Sequence, residues 1–164
     1  MYEDGNINKK KIFDKEQAYQ KALQYCAYQE RTQQEVRDKL YEWGLHKEEV
    51  EVCIAQLIID NFINEERFAK AYAGGKFRIN KWGKVKIKQE LKLKKISPYC
   101  IKKALEEIDD KEYLKVLNDI IQKKSKEVKE TNKYKKFAKV ASYAISKGFE
   151  PELIRSILNA EEEF

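Results

Sequence analysis

Apolar residues recur along this chain at steps of three and four, and the pattern repeats. Val50, Cys53 and Ile54 share their spacing with Ile101, Ala104 and Leu105 and with Ile154, Ile157 and Leu158. Each set lines one face of a helix. Ahead of them, Val36 with Leu40, Ile87 with Leu91 and Val140 with Ala144 form i, i+4 pairs in matching columns. Between the two helices of each copy lies a short turn, whose columns hold Gly44, Lys95 and Gly148, then Leu45, Ile96 and Phe149.

Punctuation supports this alignment. Pro98 and Pro151 occupy equivalent positions, and proline is favoured at the first position of a helix, where its missing N–H costs nothing. Gly44 and Gly148 stand where the preceding helix ends in a left-handed residue. Lys95 takes that position at an expected cost of about 1 kcal/mol. Thr32 followed by Glu35 is a capping-box pattern. A further helix precedes each pair, over about 14–29, 65–79 and 111–126.

The period is therefore roughly fifty residues, and such units gain stability by stacking on their neighbours. The expected fold is all-α, an elongated curved array of three tandem three-helix repeats over residues 13–62, 63–109 and 110–160. Residues 1–12 read as a disordered N-terminal tail and 161–164 as a frayed acidic tail.

One stretch resists local reading. Lys84-Val85-Lys86-Ile87-Lys88 alternates charged and apolar residues like a strand, but its place in the repeat makes it a helix. Ile87 and Leu91 then face the core, while Val85 and Leu93 project away.

Charge changes the picture at this same segment. The chain has 34 Lys and Arg against 28 Asp and Glu in 164 residues, a net charge of +6. From Lys76 to Lys95 there are nine basic residues and one acid, Glu90, so this segment carries +8 and the rest of the chain −2. On a helix numbered from Ile87, Lys84, Lys88, Lys92 and Lys95 lie on one flank, with Lys81 at its amino-terminal extension. A stripe of this kind is either a solvated helix side or an electrostatic contact with phosphates or an acidic protein groove. Lysine suits contact that ignores base sequence.

Other chemistry is sparse. Cys26, Cys53 and Cys100 sit far apart in apolar helical patterns, as buried free thiols do. His46 precedes a helix as a cap or an exposed side chain. There is no phosphate-binding glycine loop, nucleophile elbow or metal-ligand spacing, so neither an enzyme nor a cofactor is expected. The chain has no run approaching the roughly 18 apolar residues of a membrane span and no hydrophobic signal core, so the expected location is the cytoplasm.

Asn61-Phe62-Ile63-Asn64-Glu65-Glu66-Arg67-Phe68-Ala69, then Tyr72, Arg78, Gly83 and Ile87-Lys88-Gln89-Glu90-Leu91, resembles the central signature of the RecX regulatory proteins. Arg31-Thr32, Glu35-Val36 and Lys39-Leu40 extend the resemblance into the first repeat. The family usually has Asp, Gly and Ser where Asn64, Lys95 and Thr32 stand here. The resemblance implies a regulator that binds RecA recombinase filaments on DNA and limits strand exchange and ATP hydrolysis without catalysis of its own. Its implied partners are RecA and single- or double-stranded DNA without sequence preference, met by a monomer.

The candidate filament-binding residues are Arg31, Arg67, Lys76, Arg78, Lys81, Lys84, Lys88, Lys92 and Lys95. Arg67 also admits a structural reading, because a cation at a helix start needs a partner against the dipole. Phe68, Tyr72 and Leu57 read as core, and Trp82 beside Gly83 fits either packing or base stacking. Two other functions suit the same residues: a general nucleic-acid-binding helical protein, or a protein-binding scaffold whose lysines only solvate it.

Overall fold

A computed structural model describes residues 12–162. Residues 1–11 and 163–164, which hold most of the expected tails, lie outside the described residues. Among the described residues the regular structure is entirely helical: α1 (Lys15–Tyr28), α2 (Gln33–Glu42), α3 (Lys47–Ile59), α4 (Glu65–Asn80), α5 (Lys84–Leu93), α6 (Pro98–Glu106), α7 (Asp110–Glu127), α8 (Lys133–Ser146) and α9 (Pro151–Glu162). Taken in threes they are the three tandem repeats. Glu161 and Glu162, expected to fray, belong to α9, where Glu161 accepts a hydrogen bond from Gln122.

The turn between the second and third helix of each repeat is built alike. Leu45, Ile96 and Phe149 donate their N–H to Leu40, Leu91 and Ala144 at 3.1, 3.1 and 3.3 Å. The residue before each donates to Tyr41, Lys92 and Ile145 at 3.0, 2.9 and 2.9 Å. This pair of hydrogen bonds is the Schellman motif, which needs a left-handed residue at its centre. Gly44 and Gly148 supply it at φ 95°, and Lys95 adopts it at φ 60° despite its Cβ. Asn61 at φ 62° ends α3 the same way.

Side-chain oxygens close the helix starts. Asp14 and Thr32 form full capping boxes with Gln17 and Glu35. Asn64, Ser97, Asp109 and Asn132 each accept one backbone N–H of the first turn. His46 precedes α3 without such a bond.

Lys84–Leu93 is helical, as its repeat position predicts. Ile87 and Leu91 are 0% exposed, against 38% for Val85 and 76% for Leu93. The alternation is incidental, since Val85 and Leu93 lie off the face that Ile87 and Leu91 bury.

The chain divides into two compact units, one ending at Phe68 and the other beginning at Ala69. In the first, Val36, Leu40, Val50 and Leu57 are fully buried beside Ala18 and Ala22. The Phe13 N–H donates to the Trp43 carbonyl at 2.9 Å, and their rings meet edge to face at 6.5 Å. Ile12 lies so near Gly44 that a Cβ there would meet its Cγ2 at 2.9 Å.

In the second unit the middle and last repeats are joined by backbone. The Gly83 N–H donates to Lys147 O at 2.8 Å and the Val85 N–H to Gly148 O at 2.9 Å. Tyr113, 3% exposed, accepts the Lys84 N–H at 2.9 Å and donates to the Glu150 carboxylate at 2.7 Å. Its ring packs between those of Phe77 and Phe149, at 5.7 and 5.1 Å. Burial, reinforced by Glu150, holds its phenol far above the usual range, so the hydroxyl stays a donor.

Candidate electrostatic interaction surface

Burial of Ile87 and Leu91 fixes the rotation of α5 and so divides its lysines between two flanks. On one flank Lys84, Lys88 and Lys92 line a groove of about 620 Å³, whose floor includes Pro98, Ile101 and Leu105 from α6. Lys102 adds a fourth cation, and Glu106 and Asp110 also border the groove. Lys88, Lys92 and Lys102 are exposed. Lys84 is partly engaged: its Nζ lies 3.5 Å from Asp110 and 4.8 Å from the centre of the Tyr113 ring. An apolar floor under a cationic rim suits a ligand that is itself both apolar and acidic.

The other flank carries Lys86 and Lys94 beside residues of α4 and the following turn. Lys86 lies 4.4 Å from the centre of the Trp82 ring, and Lys94 lies 5.6 Å from that of Tyr72. Lys76 of α4 sits between, 4.8 Å from Trp82 and 5.5 Å from Tyr72. Burial first, and then the charge of Glu90, raise the Tyr72 pKa, so its ring is neutral beside the lysines.

Of the nine candidate residues, the structure brings Lys84, Lys88 and Lys92 together on the groove, while Lys76 belongs to the aromatic flank. Lys81 does not extend α5, because the helix starts afresh after Gly83. It occupies a left-handed turn at φ 57° and borders a separate cavity of about 300 Å³ with Asp119, Lys123 and Lys147. Lys95 lies past the end of α5, exposed and outside the groove. Arg78 packs over Gly74, where a Cβ would meet its Nη1 at 2.7 Å.

The two remaining arginines lie in the first unit, and both are held by the fold. Arg67 donates through Nε to Glu30 at 2.5 Å and through Nη2 to Asn61 O at 2.9 Å, tying the end of α1 to the turn before α4. This is the internal acid that its place at a helix start called for. Arg31 donates to Tyr25 O at 3.2 Å and stacks on the Tyr25 ring at 3.8 Å.

Sequence reading missed the grouping of Lys86 and Lys94 with Trp82. A signal existed, since Lys86, Glu90 and Lys94 are spaced i, i+4, i+8, and Tyr72 and Lys76 are i, i+4 on the preceding helix. What the spacing did not give was that the two ladders face each other.

All three cysteines are buried. Burial pushes the Cys26 thiol up to about 11 and raises that of Cys53. Protonated and covered, they are poor nucleophiles. At pH 8 iodoacetamide should leave Cys26 and Cys53 unmodified in the folded protein and alkylate them fully in urea, as mass spectrometry would record. Rapid native labelling would contradict their placement. Among the described residues no group of three His, Cys, Asp or Glu is arranged to hold a metal ion, and no helix is long and apolar enough to cross a membrane.

This arrangement has relatives. Residues 18–57, 64–105 and 110–158 match the first, second and third three-helix domains of RecX. The regulatory protein RecX of Clostridium acetobutylicum is 31% identical over 86% of this chain and 67% of its own length. That of Bacillus cereus is 27% identical over 94% of this chain, which spans only 56% of that relative. A crystal structure of RecX from Lactobacillus salivarius superposes with a TM-score of 0.82 at 26% identity, covering 92% of this chain and 98% of that one. With all three repeats matched in order, the chain belongs to the RecX family of regulatory proteins.

Proposed function

We propose that this chain binds RecA recombinase filaments on DNA and lowers their strand exchange and ATP hydrolysis, by occupying the filament and without catalysis. The observation that carries this reading is the groove of the middle repeat, where exposed Lys88, Lys92 and Lys102 border an apolar floor. A recombinase filament on DNA offers both acidic protein surface and phosphate. The groove's mixed chemistry favours the protein as its occupant.

The test reverses Lys88, Lys92 and Lys102 to Glu together and measures RecA ATP hydrolysis on single-stranded DNA. Lys84 is left alone because its side chain is already engaged with Asp110 and the Tyr113 ring. The control reverses Lys115, Lys126 and Lys129, which are equally exposed and outside the groove. Each exposed reversal should cost folding little. At roughly 0.5 kcal/mol per charge unit, three reversals of two units each should raise the inhibitory concentration about 100-fold, with a flatter salt dependence. Suppression by the groove variant equal to that by the control would reduce these lysines to solvation and end this reading.

A further inference from the structure

The repeats share their columns, so one repeat serves as the reference for another. Helices α2 and α5 begin and end in the same columns, α3 and α6 begin in the same column, and the turns between them carry the same pair of hydrogen bonds. In the first repeat Arg37 of α2 reaches across to Glu51 of α3, through Nε at 2.8 Å and Nη2 at 3.2 Å. The columns of Arg37 and Glu51 hold Lys88 and Lys102 in the middle repeat, and Ala141 and Arg155 in the last. An ion pair thus ties the two helices of the first repeat, where the middle repeat sets two cations opposite each other.

Both lysines border the same groove and both are exposed. Lys88 forms no ion pair among the described residues, and Lys102 reaches Glu106 of its own helix at 3.9 Å. Like charges so placed repel until an anion comes between them.

We infer that the groove is a carboxylate-binding site, in which an Asp or Glu of an amphipathic protein segment enters between Lys88 and Lys102 and takes the part that Glu51 plays in the first repeat. The inference rests on the reading above, that the groove meets a recombinase filament, and names the chemistry of the segment it takes. Aliphatic residues beside that acid lie along Ile101 and Leu105, an i, i+4 pair on the groove floor. A peptide suits the site better than a nucleic-acid strand because the positive charge is local. Glu106 and Asp110 border the same groove and repel a strand that carries a phosphate at every nucleotide, whereas a peptide presents one acid at one place.

The facing of the two lysines is tested by thermal unfolding of Lys88→Glu, Lys102→Glu and the double variant. The Tm change on Lys102→Glu should be about 2–6 °C more favourable with Lys88 present than in the Lys88→Glu background. The effect of Glu106 is common to both backgrounds and cancels. Additive changes would mean that the two positions do not face each other, and would overturn the site.

The ligand is tested by anisotropy of a labelled amphipathic peptide of about 14 residues, with glutamates beside leucines spaced i, i+4, and of its glutamine twin. The glutamate peptide should bind about tenfold more tightly than the twin. Lys102→Glu, which closes the groove with Lys88 as Glu51 closes the first with Arg37, should lose about tenfold. Lys92→Glu, the same charge change on the same rim, should lose only about threefold. No binding of the glutamate peptide, equal binding of the twin, or equal losses in the two variants would each overturn the site. Displacement of the peptide by oligo(dT) would assign the groove to phosphate and overturn it as well. No recombinase is present in these assays, so their failure is separate from failure of the ATP hydrolysis test on the groove.

Discussion

Gly83→Ala should lower the stability of the second unit by about 3–5 kcal/mol, a large loss for one methyl group. The cause is space and not backbone conformation, because Gly83 has φ −77°, open to any residue. A Cβ there would lie 2.2 Å from Gly148 O and 2.4 Å from Phe149 N. These are backbone atoms, and no side chain can swing aside to make room. The start of α5 must instead back away from the last repeat, giving up the bonds from Gly83 to Lys147, from Val85 to Gly148 and from Lys84 to Tyr113. Urea or thermal unfolding measures the loss, at roughly 4–8 °C per kcal/mol for a unit of about 100 residues. Gly75→Ala is the internal control. It lies within α4 with nothing within 4 Å of the added Cβ, so alanine should stabilise by about 0.5–1 kcal/mol. Opposite signs for the two changes are the expected result. A neutral Gly83→Ala would mean that the backbones are not in contact.

Ile87→Asp should cost at least about 4 kcal/mol, combining lost apolar burial with an unpartnered carboxylate in a fully covered site. Val85→Asp, two residues earlier on the same helix, should cost under about 1 kcal/mol. Val85 is 38% exposed and stands in the first turn of α5, where a negative charge is favoured by the helix dipole. Equal damage at the two positions in chemical denaturation would contradict the facing of α5. The comparison also tests the repeat itself, since Val36 and Val140 are the buried counterparts of Ile87.

Much of the fold could be read from spacing, because each repeat buries the same columns. Leu45, Ile96 and Phe149 are all buried, as are Val50, Ile101 and Ile154. Even the left-handed Lys95 followed from its column, against its own intrinsic preference. The site was less legible. Which lysines share a flank of α5 follows from helical geometry, but what each flank faces depends on neighbours remote in sequence. Lys84 is drawn toward Asp110 and Tyr113, and Lys86 and Lys94 toward rings on α4 and its turn. Lys81 was misplaced because the break between α4 and α5 holds only three residues and no residue type there announces a left-handed turn ahead of Gly83. Arg67 at a helix start did announce its need for an acid, though not that Glu30 would supply it.

The glycine contact between the middle and last repeats also bears on how binding could be lost or tuned. Both cationic flanks belong to one short helix whose start is anchored to Lys147 and Gly148 and, through Tyr113, to Glu150. The third repeat therefore acts as the mount that aims this helix, although it supplies none of the groove's lysines. A substitution at its turn would tilt both flanks at once and leave every charge in place. Under the proposed reading, changes there would pass for defects of the binding surface while lying outside it.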